Sequence, residues 1–260
     1  MAISTSSLKT NFFFKSKIFF KENQDKVLTY VLEEHAKEFN QRLKILLLLS
    51  VVLMIGFLIN IKVIAQLLEF PVQNVKFFQL SPNEYFFSSI KLGIYTGILV
   101  SCPFYVNQLI VFLSPSFSFK EQTLVFPLIL LSIVLFFLSL SFTFFILLPA
   151  ALNFFLNYNE GVLEPLWSFT EYFDFSTTLF IGTALVFQLP IMQVLLSLLK
   201  IINLTNMKKS WKYIILLSTI LGAIITPSTD PITQLLLSSV ILLLYGLGLL
   251  LVEFYNDEKI

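Results

Sequence analysis

Six apolar blocks dominate this chain, and five of them exceed the roughly 18 residues that mark a membrane span. They run near Ile45–Leu68, Phe86–Leu113, Thr123–Leu148, Tyr172–Leu199, Trp211–Thr226 and Ile232–Val252. A soluble fold of 260 residues cannot hide that much Leu, Ile and Phe. Only 13% of the residues are charged, where soluble domains carry roughly 25%. The chain is read as all-α, a polytopic membrane protein with six transmembrane helices. Residues 45–252 form the membrane domain. Residues 1–44 supply a basic arm, with Lys9, Lys15, Lys17 and Lys21, and then an amphipathic helix at the interface over Val27–Lys44. Residues 253–260 are a polar tail.

An even number of spans puts both termini on one side. That side collects most of the Lys and Arg: the arm, Arg42, Lys44, Lys120, Lys200, Lys208, Lys209, Lys212 and Lys259. The other side has Lys62, Lys76 and Lys91 and gathers Glu69, Glu84, Glu160, Glu164, Glu171, Asp174 and Asp230. By the positive-inside rule both termini face the cytoplasm, or the stroma in a plastid. The fifth block is short: from Trp211 to Thr226 a helix reaches roughly 24 Å, less than a hydrocarbon core of about 30 Å. Pro103 and Pro190 lie inside the second and fourth blocks and are expected to kink or break those helices.

Residue chemistry excludes more than it assigns. Net charge is +1, which makes no electrostatic case for nucleic acid. Phosphate-binding, nucleophile-elbow and zinc-peptidase motifs are lacking. The single Cys102 and single His35 build no metal site, and His35 reads as packing on the apolar face of the interfacial helix. No catalytic residue, metal or cofactor is expected. The polar residues that stand out are Glu33, Glu34 and Glu38 beside the membrane, Glu121 in a short loop on the same side, Asn107 and Gln108 in the second span, and Gln188 in the fourth. Carboxylates receive guanidinium in a bidentate way, so the glutamates are candidates to hold a basic peptide. A mid-span Gln needs a partner, as a helix-to-helix hydrogen bond or a functional contact. Asp230, between Pro227 and Pro231, can cap the sixth helix. A small-solute transporter is the alternative reading. It would need midplane ionisable residues, and the one acid within a span, Asp174, sits at its edge.

Several motifs in order resemble the TatC family of the twin-arginine (Sec-independent) protein translocase, in its plastid form. They are Ser81-Pro82-Asn83-Glu84-Tyr85-Phe86-Phe87, Pro149-Ala150-Ala151-Leu152-Asn153-Phe154-Phe155, Phe187-Gln188-Leu189-Pro190 and Thr226-Pro227-Ser228-Thr229-Asp230-Pro231. The resemblance implies a cup-like concave bundle with short fifth and sixth helices, in a thylakoid membrane, with a bacterial or mitochondrial inner membrane as the alternative. It implies a receptor that binds twin-arginine signal peptides of folded proteins. The assembly it implies contains single-span TatA- and TatB-type subunits and further copies of the chain, in contact with membrane lipids, and is driven by the proton gradient. Glu38 and Glu121 fall where the family binds the signal, with Arg42 in the same N-terminal motif. Gln188 falls where many bacterial members carry Glu. The motif Glu-Leu-Arg-x-Arg reads Glu38-Phe39-Asn40-Gln41-Arg42 here, so Asn40 replaces the first arginine.

Overall fold

The computed structural model describes residues 33–72, 76–79, 81–158, 166–226 and 230–257. The chain divides into two compact units, Met1–Leu47 and Leu48–Ile260. Five helical segments are long and apolar enough to cross a membrane: Glu33–Ile59, Glu84–Ser116, Phe119–Tyr158, Phe169–Leu198 and Pro231–Tyr255. A sixth apolar helix, Trp211–Ile225, is shorter.

Helix α1 (Glu33–Ile59) is continuous. The expected junction between an interfacial helix and a span at Lys44–Ile45 is absent, and Val27–Leu32 lie outside the described residues. His35 is exposed rather than packed on protein. The first span ends well before Leu68. Asn60 marks its end, its side-chain amide donating to the Gly56 carbonyl at 3.0 Å and so covering one of the carbonyls that a helix end leaves open. A separate helix α2 (Ile61–Glu69) follows and buries Ala65 and Leu68.

Strand β1 (Lys76–Phe78) pairs in parallel with β2 (Leu166–Ser168), Phe77 opposite Trp167. This pairing places the starts of α3 (Glu84–Leu113) and α7 (Phe169–Val186) at one end of the bundle. Glu84 ties the two helices together there by accepting from the Ser168 hydroxyl at 2.9 Å and the Thr170 amide at 3.4 Å. Helix α3 runs unbroken through the buried Pro103. After it come the short α4 (Phe119–Gln122) and then α5 (Val125–Phe142).

Pro149 does not end the third span, as its sequence suggests. The π-helical turn Thr143–Leu147 carries α5 into α6 (Leu148–Tyr158). The proline ring would strike the carbonyl four residues back, that of Phe145, and that carbonyl lies inside the wider π turn. In the fourth span the proline does break the helix. α7 stops at Val186 and α8 (Leu189–Leu198) starts with Pro190 in its first turn.

The Lys200–Ser210 loop holds α9 (Leu204–Lys209), followed by α10 (Trp211–Ile225) and α11 (Pro231–Asp257). At 15 residues α10 reaches about 22 Å, and its end at Ile225 meets Gly182, about 20 Å along α7. The sixth helix is not short: α11 has 27 residues, about 40 Å. At its start the buried Asp230 carboxylate accepts the Thr233 amide at 3.0 Å and also the Thr233 hydroxyl. Pro227 lies outside the described residues. At the far end, Lys208 pairs with Glu253 at 2.6 Å and the Tyr245 hydroxyl donates to the Met207 carbonyl.

A buried aliphatic and aromatic core is combined with an apolar outer surface. Large apolar side chains such as Leu48, Phe145, Leu216 and Leu243 face outward, while Ser101, Ser132, Ser139, Thr143 and Thr183 are fully buried. Without a hydrophobic force between helices in lipid, small residues that allow close approach hold them together. Gly93 and Gly97 of α3 do this against Leu58 and Met54 of α1. A Cβ at Gly97 would lie 2.8 Å from the Met54 Cα and 2.9 Å from its backbone nitrogen, so no rotamer change relieves it. Gly97→Ala is therefore expected to cost about 1–3 kcal/mol, read as a lower Tm in detergent. Gly56→Ala, which meets nothing within 4 Å, serves as the control and is expected to be neutral or slightly stabilising.

Candidate functional site

Three candidate side chains sit in three different settings. Within the first unit, Glu38 and Arg42 lie one turn apart on α1. Arg42 donates from Nε at 3.0 Å and Nη2 at 2.8 Å, both to Oε1 of Glu38. Both bonds go to one carboxylate oxygen, and the Glu38 side chain is partly exposed. Neither residue is buried enough for the pair to add much stability.

Glu121 is only 6% exposed. It lies in α4, between the 3₁₀ turn Ser114–Ser116 and α5. Its Oε2 accepts the Ser118 amide at 2.9 Å, the return bond of a capping box whose other member is Ser118. The Ser-x-x-Glu spacing that makes this box is plain in the sequence. The cap holds the carboxylate in one position, which is what selective recognition of a guanidinium needs.

Gln188 is 4% exposed at the break between α7 and α8. Its amide nitrogen donates to the Ser132 carbonyl in α5 at 3.2 Å. The Ser132 hydroxyl donates in turn to Asn107 Oδ1 in α3 at 2.5 Å. The three residues link three spans at mid-depth. Gln188 Oε1 is buried without a partner among the described residues, and so is Oε1 of Gln193. The Gln193 amide lies so close to Gly248 of α11 that a Cβ there would stand 1.5 Å from Oε1. Gln193 and Gly248 were not singled out from sequence. A Gln one and a half turns after a mid-span break was the available signal.

At the strand end, Lys91 donates to Asp174 Oδ2 at 2.9 Å, joining α3 to α7. Outside the spans, partial burial pushes the Glu69 carboxyl above its ordinary range. Its protonated form is favoured in the fold, so Glu69 contributes stability at low pH that is lost as pH rises past that value. No group of three or more metal-ligating side chains occurs among the described residues.

Residues 34–239 match the family described as Sec-independent protein translocase protein (TatC). An uncharacterized tatC-like protein, ycf43, of Trieres chinensis is 52% identical over 84% of this chain and 83% of its own length. The Sec-independent protein translocase protein TatC of Synechocystis is 44% identical over 83% of this chain and 85% of its own. The chloroplastic TATC of Pisum sativum is 38% identical over 82% of this chain and 61% of its own. A solved structure of a twin-arginine translocase receptor, TatC, in detergent superposes with a TM-score of 0.74 at 29% identity, covering 84% of this chain and 98% of that one.

The capping box separates two contributions of Glu121. Glu121→Ala removes the bond to Ser118 and is expected to cost about 1 kcal/mol. Glu121→Gln keeps an acceptor at the same place and is expected to leave Tm within a degree or two of the parent. Thermal unfolding of both variants in the same detergent checks the pair.

Proposed function

Because the chain belongs to the Sec-independent protein translocase (TatC) family, a multi-pass membrane component of the Tat complex, we propose that it is the receptor of that complex in the thylakoid membrane. In this reading it binds twin-arginine signal peptides of folded precursors on the side that carries the Lys and Arg excess, where both termini lie. The single-span TatA- and TatB-type subunits and further copies of the chain assemble around it, and the proton gradient drives transfer.

The observation that carries this reading is Glu121: a carboxylate almost wholly withdrawn from solvent, yet held in fixed orientation by a four-residue helix in the loop between the second and third spans. A structural cap would be served as well by an exposed side chain. Withdrawal from solvent strengthens its pull on a guanidinium, and its planar pair of oxygens matches the arginine fork better than a lysine ammonium. Glu38 adds a second acceptor on α1. Its pairing with Arg42 is the local example of the contact that a signal arginine would make, and Arg42 is the group that such an arginine would displace or join. The likeness to solved twin-arginine translocase receptors supports the same reading. Gln188 Oε1 is buried without a partner among the described residues, so a partner or signal helix that parts the spans around it gains a hydrogen bond within the membrane. The exposed apolar faces of α10 and α11, with Leu216 and Leu243, suit docking of single-span subunits.

Site-specific photo-crosslinking from residue 121 in energised membranes tests the receptor role. A radiolabelled precursor with Arg-Arg in its signal is expected to crosslink, and its Lys-Lys counterpart is not. The double variant Glu38→Gln/Glu121→Gln is expected to lose at least tenfold in precursor binding, the loss of two charge-assisted bonds, with Tm unchanged. Equal crosslinking of both precursors, or full binding by the double variant, would overturn the assignment. Gln188→Leu is expected to leave stability within about 1 kcal/mol, since it removes one hydrogen bond together with one orphaned oxygen. Reduced transport in import assays with that stability retained would assign Gln188 to a partner contact.

A further inference from the structure

Two cavities lie side by side on the strand-end half of the bundle. One, of about 330 Å³, is walled by α2, α3, the end of α5 and α7, with Leu68, Leu99, Phe144 and Phe180 on its surface. The other, of about 250 Å³, opens beyond the tip of α10 and is walled by Thr178, Gly182 and Ile225. They share the walls Tyr95, Thr177 and Ile181. The second cavity exists because α10 is short. Its last turn meets α7 at Gly182, and nothing from α10 continues toward the strand end.

Tyr95 brings a phenol to both linings, which are otherwise mainly apolar even where the residues are not. The hydroxyls of Thr96, Ser141, Thr177 and Thr178 each donate to the carbonyl four residues back in their own helix, so the walls present methyl and methylene groups. One turn nearer the strand end, the Lys91–Asp174 pair tops the same stripe. Lys91 precedes Tyr95 by four residues, and Asp174 precedes Thr177 and Thr178 by three and four. The pair is about half exposed and lies about 10 Å in from the start of α3. A polar, charge-balanced point thus sits at interfacial depth, with two apolar slots beneath it at the depth of lipid tails.

We propose that this is a binding site for a two-chain glycerolipid of the leaflet at the strand end, one acyl chain in each cavity and a head group of no net charge on the Lys91–Asp174 pair. The charge balance of the pair selects against an anionic head. Lys91 keeps two N–H donors beyond the one given to Asp174, enough to hold head-group oxygens. The bound lipid fills the hydrophobic shortfall that α10 leaves on this side.

The test uses the full chain in nanodiscs of mixed phosphatidylcholine and phosphatidylglycerol, with a trace of either lipid carrying a photoreactive acyl chain. Phosphatidylcholine is expected to label peptides containing Leu99, Phe144 and Ile181 preferentially. Leu99→Trp, which fills the larger slot, is expected to remove most of that labelling. Lys91→Gln/Asp174→Asn, which leaves the slots open and lies at a half-exposed position, is expected to reduce it roughly tenfold. Labelling spread evenly over all outward apolar faces would overturn the site. Preference for phosphatidylglycerol would overturn the neutral head group. Displacement of the phosphatidylcholine label by a saturating twin-arginine signal peptide would give the slots to the peptide instead.

Discussion

A backbone amide or carbonyl placed in hydrocarbon has no water to pair with, so the chain keeps its backbone in helices and the polar side chains at its irregular points bond within the protein. Asn60, at the end of α1, covers the Gly56 carbonyl with its own amide. The Thr143 hydroxyl, at the head of the π turn, serves the Ser139 carbonyl and touches the Thr183 hydroxyl across the interface with α7. The break at Gln188 is bridged to the Ser132 carbonyl of α5. Serine and threonine hydroxyls, most of them folded back on their own helix, share the helix interfaces with a buried aliphatic and aromatic core, and many further large apolar side chains face outward, where lipid lies.

The short α10 has several consequences. Its last turn ends against Gly182, where the absent side chain lets Ile225 approach. The chain must then turn before it has crossed the full apolar thickness, and the acid in that turn, Asp230, is buried at 1% exposure. It is tolerated because both Thr233 donors satisfy it. The space above the tip of α10 becomes the smaller of the two lipid-sized slots.

Much of the architecture was legible as apolar length. The blocks near Phe86–Leu113, Tyr172–Leu199 and Trp211–Thr226 agree with the helices to within a few residues. Where the reading failed, context overrode a local rule. Pro149 reads as a stop and is carried through by a π turn, a register shift with no composition of its own. The apolar stretch from Ile61 to Leu68 reads as more span, because α2 keeps an apolar face while lying outside the long helix. The sixth helix, expected short from the family resemblance, is extended by its polar C-terminal turns, which Lys208 and Glu253 hold against α9. The glycines four apart in α3 were not singled out from sequence, and the tertiary structure names Met54 and Leu58 as what approaches them.

The candidate site divides along the same line. Its residue types and their order along the chain are properties of sequence: two glutamates flanking the first two spans, an amide in the fourth, an acid between prolines. Whether a carboxylate is solvated or withdrawn, and what holds it, depends on surfaces contributed by distant segments, and no local pattern encodes that. Glu121 is withdrawn from solvent and carries the return bond of its capping box, and Gln188 is half satisfied because its amide nitrogen reaches the Ser132 carbonyl while Oε1 has no partner among the described residues. By itself the sequence determined that the chain crosses a membrane as helices, since hydrocarbon tolerates little else. The tertiary structure decided which polar atoms are left wanting a partner, because satisfaction is a property of pairs and only packing makes the pairs.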